Sequence, residues 1–187
     1  DIAFVQTELT ASTPTCPERD FTLSFKMANV GDANLAGNVP ISFYAGDPTQ
    51  PGATYLQTEY FTVSNLNVGD SLQVPDMTIT GPGSAFTLFM VLNDDGSTIP
   101  TPISLPNTDF IECDYFNNIE TIDITPIPFS LNTEVTDNIL CFGSTAPPNG
   151  SARAFRLVGG AEETADYIFD WYDGTDTSVP PVYTGAV

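Results

Sequence analysis

Apolar and polar side chains alternate with a period of two along most of this chain, the repeat of a strand that turns one face to a core and the other to water. Ile2, Phe4 and Leu9 suggest an opening strand, and Phe21, Leu23, Phe25 and Met27 form an uninterrupted apolar face that stops at Asn29-Val-Gly-Asp32. Gly and Asn there supply the positive-φ positions that a turn needs. Val39, Ile41 and Phe43 alternate next and end at Ala45-Gly-Asp-Pro48; strands over Tyr55 to Val63, Ser71 to Ile79 and Ala85 to Leu92 come after it, each bounded by Gly, Pro, Asn or Asp. No apolar stripe at i, i+3, i+4, i+7 persists long enough for a helix.

After Leu92 the pattern lapses, and it resumes only at Ile119, Ile122 and Ile124. A connection from Asn93 to about Asn118 is longer than a compact domain normally carries without a reason, so function or a metal is to be sought there. Prolines at Thr125-Pro-Ile-Pro128 fix φ and cannot donate to a ladder, which places a linker at this point. Beyond it, Phe129 to Val135, Ala152 to Val158 and Tyr167 to Tyr172 read as three strands, with Gly159-Gly160 and Asp173-Gly174 as turns. The expected fold class is therefore all-β: tandem immunoglobulin-like sandwiches, the first over residues 1–125 and the second, over 126–187, incomplete. Three strands leave an apolar face and an edge open, so the missing ones are expected beyond Val187, in a longer parent chain, or from another copy.

Composition narrows the function. Twenty-four acidic residues against Arg19, Lys26, Arg153 and Arg156 give a formal charge of −20 with no histidine, which repels phosphate and argues against nucleic acid as a partner. No run of roughly 20 apolar residues is present, so no membrane span is expected. Without histidine, Ser-His-Asp and Cys-His catalytic sets are excluded and zinc loses its usual nitrogen ligand. Few lysines among many Asp, Asn, Thr and Ser suit an extracellular protein.

The chain as far as residue 125 resembles the cell-adhesion-related (CARDB-like) domain of bacteria, through Phe25-Lys-Met-Ala-Asn-Val-Gly-Asp32, Ile41-Ser-Phe-Tyr-Ala-Gly-Asp-Pro48, Leu66-Asn-Val-Gly-Asp-Ser71 and Glu112-Cys-Asp-Tyr-Phe-Asn-Asn118. It departs from that pattern in the insertion around Gly96 to Asp109 and in carrying Cys16 and Cys113. The remainder resembles the repeats of SprB-type gliding adhesins of Bacteroidota-like bacteria, through Cys141-Phe-Gly143, Asn149-Gly-Ser-Ala152, Val158-Gly-Gly160 and Tyr167-Ile-Phe-Asp-Trp-Tyr-Asp-Gly174. Both resemblances imply long secreted surface proteins exported by the type IX route.

Candidate site residues fall into four groups. In an exported chain Cys16 and Cys113 are expected to pair, although a simple sandwich sets them at opposite ends unless the long connection folds back along the sheet; Cys141 then has a partner outside the chain or stays a buried thiol. Asn93, Asp94, Asp95, Asp109, Glu112 and Asp114, with Asn117 and Asn118, offer oxygens for calcium, against the plainer reading of solvated turn residues, and no other cofactor is required. Trp171 shares a face with Tyr167 and Phe169, as a core stripe does, and a stacking platform for sugar rings is the alternative. Asn149 fits an N-glycosylation acceptor, and Ser71 in Asp70-Ser-Leu72 resembles the O-glycosylation motif of Bacteroidota-like bacteria; an unmodified surface turn is the other reading of each. The function expected is a non-catalytic structural or adhesive module of an extracellular surface adhesin or filament, with neighbouring repeats or copies of itself as partners. The alternative is a carbohydrate- or calcium-binding accessory module of a secreted enzyme, with surface polysaccharide as its partner.

Overall fold

A computed structural model describes residues 1–97, 111–136, 151–163, 168–171, 178, 180–181 and 183–186. The chain is all-β and divides into two compact units, Asp1–Pro126 and Ile127–Val187, so that the division falls inside the Pro-Ile-Pro segment.

The first unit is a sandwich of two antiparallel sheets. In one, β3 (Asp20–Asn29) lies between β6 (Ser71–Thr80) on one side and, on the other, the short β1 (Ile2–Phe4) and β2 (Thr10–Ala11), which a 3-10 turn at Gln6–Glu8 separates. The second sheet has the order β5 (Thr54–Leu66), β4 (Leu35–Ala45), β7 (Phe86–Leu92), β8 (Ile119–Ile124). The chain crosses between the sheets from β3 to β4, from β5 to β6 and from β6 to β7, as it does in immunoglobulin-like sandwiches. The alternation read from the sequence sets the inner faces: Phe21, Leu23, Phe25 and Met27 of β3 meet Val39, Ile41 and Phe43 of β4 in a core closed by Val74, Ile79, Leu88 and Met90.

Strand β4 is buried on both faces. Besides its inward residues, Pro40, Ser42 and Tyr44 on the outer face are also buried, so something covers this sheet from outside. The strands also give the unit two distinct ends. β1 begins where β3 ends, with Ile2 opposite Asn29, whereas β8 ends at Ile124 opposite Phe86, whose ring packs on Phe21 at the start of β3. The unit therefore has a turn pole, around Asn29, and a linker pole, around Ile124, separated by the ten residues of β3, or about 30 Å.

The second unit holds a sheet β11 (Ala161–Glu162), β10 (Ser151–Val158), β9 (Phe129–Thr136) and a hairpin of β12 (Ile168–Trp171) with β13 (Tyr183–Ala186). β11 and β13 were not expected: one is two residues long, and the other comes after Pro180-Pro181 with no alternation to mark it.

Candidate functional site

The long connection after β7 is where the first unit departs from a plain sandwich. Asn93 is the described non-glycine residue with positive φ (+58°), a conformation that Asn tolerates better than most residues. Its N–H still donates to Pro40 O, as though β7 continued, and the left-handed turn then reverses the chain onto the outer face of β4. There Asp94 accepts the Tyr44 hydroxyl at 2.5 Å on Oδ2, and its backbone carbonyl accepts Ser42 Oγ at 2.7 Å. Because the single Ser42 proton goes to a carbonyl, the 2.7 Å contact between Ser42 and Thr58 Oγ1 has Thr58 as donor, and Tyr55 Oη in turn donates to Thr58 at 3.1 Å. A one-way hydroxyl relay thus runs from β5 across β4 to the connection. Burial, and then the Asp94 carboxylate that accepts its proton, push the Tyr44 phenol far above its ordinary range, so it stays a neutral donor.

The other end of the connection returns at Glu112, which is buried. Its Oε2 accepts the Ile2 N–H at 2.8 Å, and Oε1 accepts Asn93 Nδ2 at 2.5 Å and Asn118 Nδ2 at 2.8 Å. Asn118 Nδ2 also reaches Leu92 O at 3.2 Å, and the Glu112 N–H donates to the Tyr115 hydroxyl at 2.9 Å. One carboxylate therefore closes the neck of the connection and fastens it to β1. Among the described residues, Asn117 Oδ1 and Asn118 Oδ1 are buried acceptors without a protein donor, for which water is the expected partner.

The residues read as a calcium set are thus distributed among separate tasks. Asn93 and Glu112 belong to the neck and Asp94 to the relay, while Asp95 caps Ser97 N at 2.9 Å and Asp114 caps Phe116 N at 2.9 Å. Asp109 lies outside the described residues. Among the described residues no three Cys, Asp or Glu side chains converge as metal ligands do. Ser42, Tyr44 and Thr58 went unnoticed in the sequence; the available signal was two hydroxyl residues on the outward positions of an otherwise apolar strand.

At the turn pole, Asn29 is buried and donates to Ala33 O at 2.8 Å and Leu66 O at 2.9 Å, while its Oδ1 accepts Gly31 N at 3.1 Å. Around it Val30, Val68, Ile111 and Phe116 are exposed, the last two at 88% and 93%. An open cleft of about 360 Å³ is lined by Val30, Leu35, Ile111 and Cys113, among others. Cys113 is exposed, and its N–H is capped by Asp1 Oδ1. The expected Cys16–Cys113 disulfide is not formed. Cys16 lies just before β3, at the linker pole, and Cys113 at the turn pole, a strand length apart, whereas a disulfide needs Cα atoms within about 7 Å. Ser71, paired with Ala28 at the start of β6, is exposed at this pole. Cys141 and Asn149 lie outside the described residues.

In the second unit, Trp171 is half-buried and walls an open cleft of about 210 Å³ together with Leu131, Asn132, Thr133, Ala154 and Asp170. Ala154 is buried, and Leu131, Asn132 and Thr133 are exposed on β9. Of the residues expected to share a core stripe with Trp171, Tyr167 lies outside the described residues, and Phe169 is described only as part of β12.

No protein-family model matches the chain, and no curated protein matches it either.

Proposed function

We propose that this chain is a non-catalytic structural and adhesive module of a long extracellular surface adhesin or filament of gliding or biofilm type, with neighbouring repeats or copies of itself as partners. The observation that carries the reading is the placement of β1 and β8: the first unit is entered at one pole and left at the other, about 30 Å away. Tension applied through such a unit runs along the strands. Because ladder hydrogen bonds lie across the strands, it loads the β1–β3 and β7–β8 bonds together and not one after another. Among the described residues of the long connection, the Asp94 and Glu112 carboxylates and the Asn93 amide are committed to neighbouring protein groups, which supports a passive role. A charge of −20 keeps neighbouring copies from clumping and disfavours nucleic acid. The resemblance to cell-adhesion-related and SprB-type modules adds export by the type IX route.

Single-molecule stretching of the full chain from its two ends tests this. The 126 residues of the first unit extend to about 430 Å, so its opening is recognised by a gain of about 400 Å once the folded length is subtracted. The expected result is one cooperative opening at a force several-fold above that needed when the same unit is pulled through two points on the turn pole. Equal forces in the two geometries would remove the basis for the proposal.

A further inference from the structure

We infer that β9 of the second unit is a pairing edge for a second copy of this chain, the two β9 strands meeting antiparallel about a two-fold axis. An unpaired strand edge offers its backbone N–H and C=O groups to any strand that reaches it, and folded proteins blunt such edges. The first unit blunts its own. β1 and β2 are three and two residues long, β6 carries Pro75-Asp76 in its middle, and β8 places Glu120 and Asp123 along six residues. β5 is bulged and sets Glu59 on the inward face, opposite Ile41. In the second unit β11 is two residues long. β9 has none of these devices: it runs for eight residues without Pro, Gly or a register shift, and every one of them is exposed. Among the described residues nothing pairs with its outer side.

The ladder fixes which backbone groups are free. Gly159 N–H donates to Pro128 O at 3.4 Å, so Pro128 and, by alternation, Ser130, Asn132 and Glu134 turn their backbone groups towards β10. Those of Phe129, Leu131, Thr133 and Val135 point off the edge. Arg156, opposite Leu131, agrees: its carbonyl accepts Glu163 N–H at 3.0 Å, on the side away from β9. A copy that sets its Val135 opposite Phe129 and its Thr133 opposite Leu131 meets all of these free groups at once. The same register joins the apolar faces, with an aromatic and a β-branched side chain paired across the strands, and covers Leu131 and Val135, which are 62% and 69% exposed in the single chain. On the other face Glu134 comes opposite Ser130 and Asn132 opposite its own copy, so no two carboxylates are set against each other.

Charge favours a copy of the chain as the occupant. Glu134, the one charged residue of β9, is met across the ladder by Arg153 Nε at 3.7 Å. The edge therefore has no free charge for a basic strand to recognise, and two chains of formal charge −20 approach there without local repulsion. A contact about 25 Å long is small against the roughly 1,200–2,000 Å² of a standard interface, so a dissociation constant of about 0.1 mM is expected, suited to molecules crowded on one surface. A two-fold pairing closes at two copies and links neighbouring molecules in pairs. Such pairing deepens the proposed function and rests on it for the choice of partner, but association and resistance to force are measured separately, so either can fail alone.

Sedimentation equilibrium of the full chain from about 10 μM to about 1 mM, with reductant to keep Cys113 out of disulfides, is expected to show a reversible monomer–dimer equilibrium. Thr133→Pro removes an N–H that points off the edge and no β9–β10 bond, and Val135→Lys sets a charge on the edge. Each should weaken dimerisation about tenfold or more, with an unchanged far-ultraviolet circular dichroism spectrum; Phe116→Ser, at the exposed turn pole of the first unit, should leave dimerisation as it was. Crosslinking tests the register in a chain whose three native cysteines are replaced by serine. Asn132→Cys sets two thiols on directly opposed residues with Cα atoms about 4.5 Å apart and should trap a covalent dimer under mild oxidation. Ser130→Cys, whose counterpart lies about 13 Å away in this register, should not. If Thr133→Pro alters the spectrum, Val135→Lys and the crosslinking pair decide. A chain that stays monomeric at about 1 mM, dimerisation that survives the edge substitutions or is abolished by Phe116→Ser, or crosslinking as fast through Ser130→Cys as through Asn132→Cys would each overturn the assignment.

Discussion

Replacing Glu112 with alanine probes the neck of the long connection most directly. The carboxylate accepts three N–H donors, from Ile2, Asn93 and Asn118, all in buried surroundings. Each donor left without a partner costs about 1–3 kcal/mol. Water entering the vacated volume and relaxation at the neck recover part of this, so the net loss is expected at about 3–5 kcal/mol, within the range for breaking a buried polar network. At about 2 kcal/mol per M, a slope usual for a domain of this size, the urea midpoint of the first unit falls by about 2 M. The assay reads both units at once. Far-ultraviolet circular dichroism follows the sandwich, while fluorescence of Trp171 follows the second unit and is expected not to move. Glu112→Gln keeps the oxygen that accepts the two asparagine amides but sets an NH2 against the Ile2 N–H, and so should lose about half as much. A midpoint shift for Glu112→Ala of less than about 0.5 M, equivalent to about 1 kcal/mol, would mean that the carboxylate does not hold the neck.

Tyr44→Phe removes the donor to Asp94 and should cost about 1–3 kcal/mol at pH 7. Because the Tyr44 pKa is raised in the folded state, its contribution is fully present below the unfolded value of about 10 and declines as pH rises past it; base unfolding above pH 10 should therefore be steeper in the parent protein than in Tyr44→Phe. Gly96→Ala, at φ +70° and with its new Cβ only 2.7 Å from Thr58 Oγ1 and from Tyr55 Cε2, should weaken the cover over β4 by about 1–3 kcal/mol, seen as faster amide exchange in residues 93–97. Cys113→Ser should leave the urea midpoint within about 0.5 kcal/mol of the parent, and the native thiol should alkylate without prior reduction; a loss of 2–5 kcal/mol would instead be the mark of a disulfide.

The sandwich was legible because its inner faces obey one rule. Phe21 to Met27 and Val39 to Phe43 alternate without interruption, and period two suffices to assign them. The outer face of β4 was not legible, because burying Ser42 and Tyr44 depends on a segment about 50 residues away folding back, and nothing local to the strand encodes that return. The oxygen-bearing residues of the connection were recognised as a group, read either as a calcium set or as turn residues, but their individual hydrogen-bond partners were not. Oxygen-rich sequence looks alike whether its acceptors meet a cation, cap a turn or take amide protons, and only the direction of each side chain separates these uses. The cysteine pairing failed because the separation that a simple sandwich implies holds: Cys113 returns at the turn pole, a full strand from Cys16. Trp171 was assigned by periodicity to one face of a strand, and periodicity carries no information on whether that face is covered.

Asn93 and Glu112 stand 19 positions apart in the chain yet meet in one hydrogen bond, which closes the excursion at its base, while Asp94 just inside the neck lies against Ser42 and Tyr44 of β4. Doubling the length of such a closed excursion costs only about 0.6 kcal/mol of chain entropy. Relatives of this protein, and engineered derivatives, are thus free to exchange the tip of that excursion for sequences of other lengths, provided that the two gatepost residues and the Asp94–Gly96 stretch that covers β4 stay: the scaffold has a built-in cassette site.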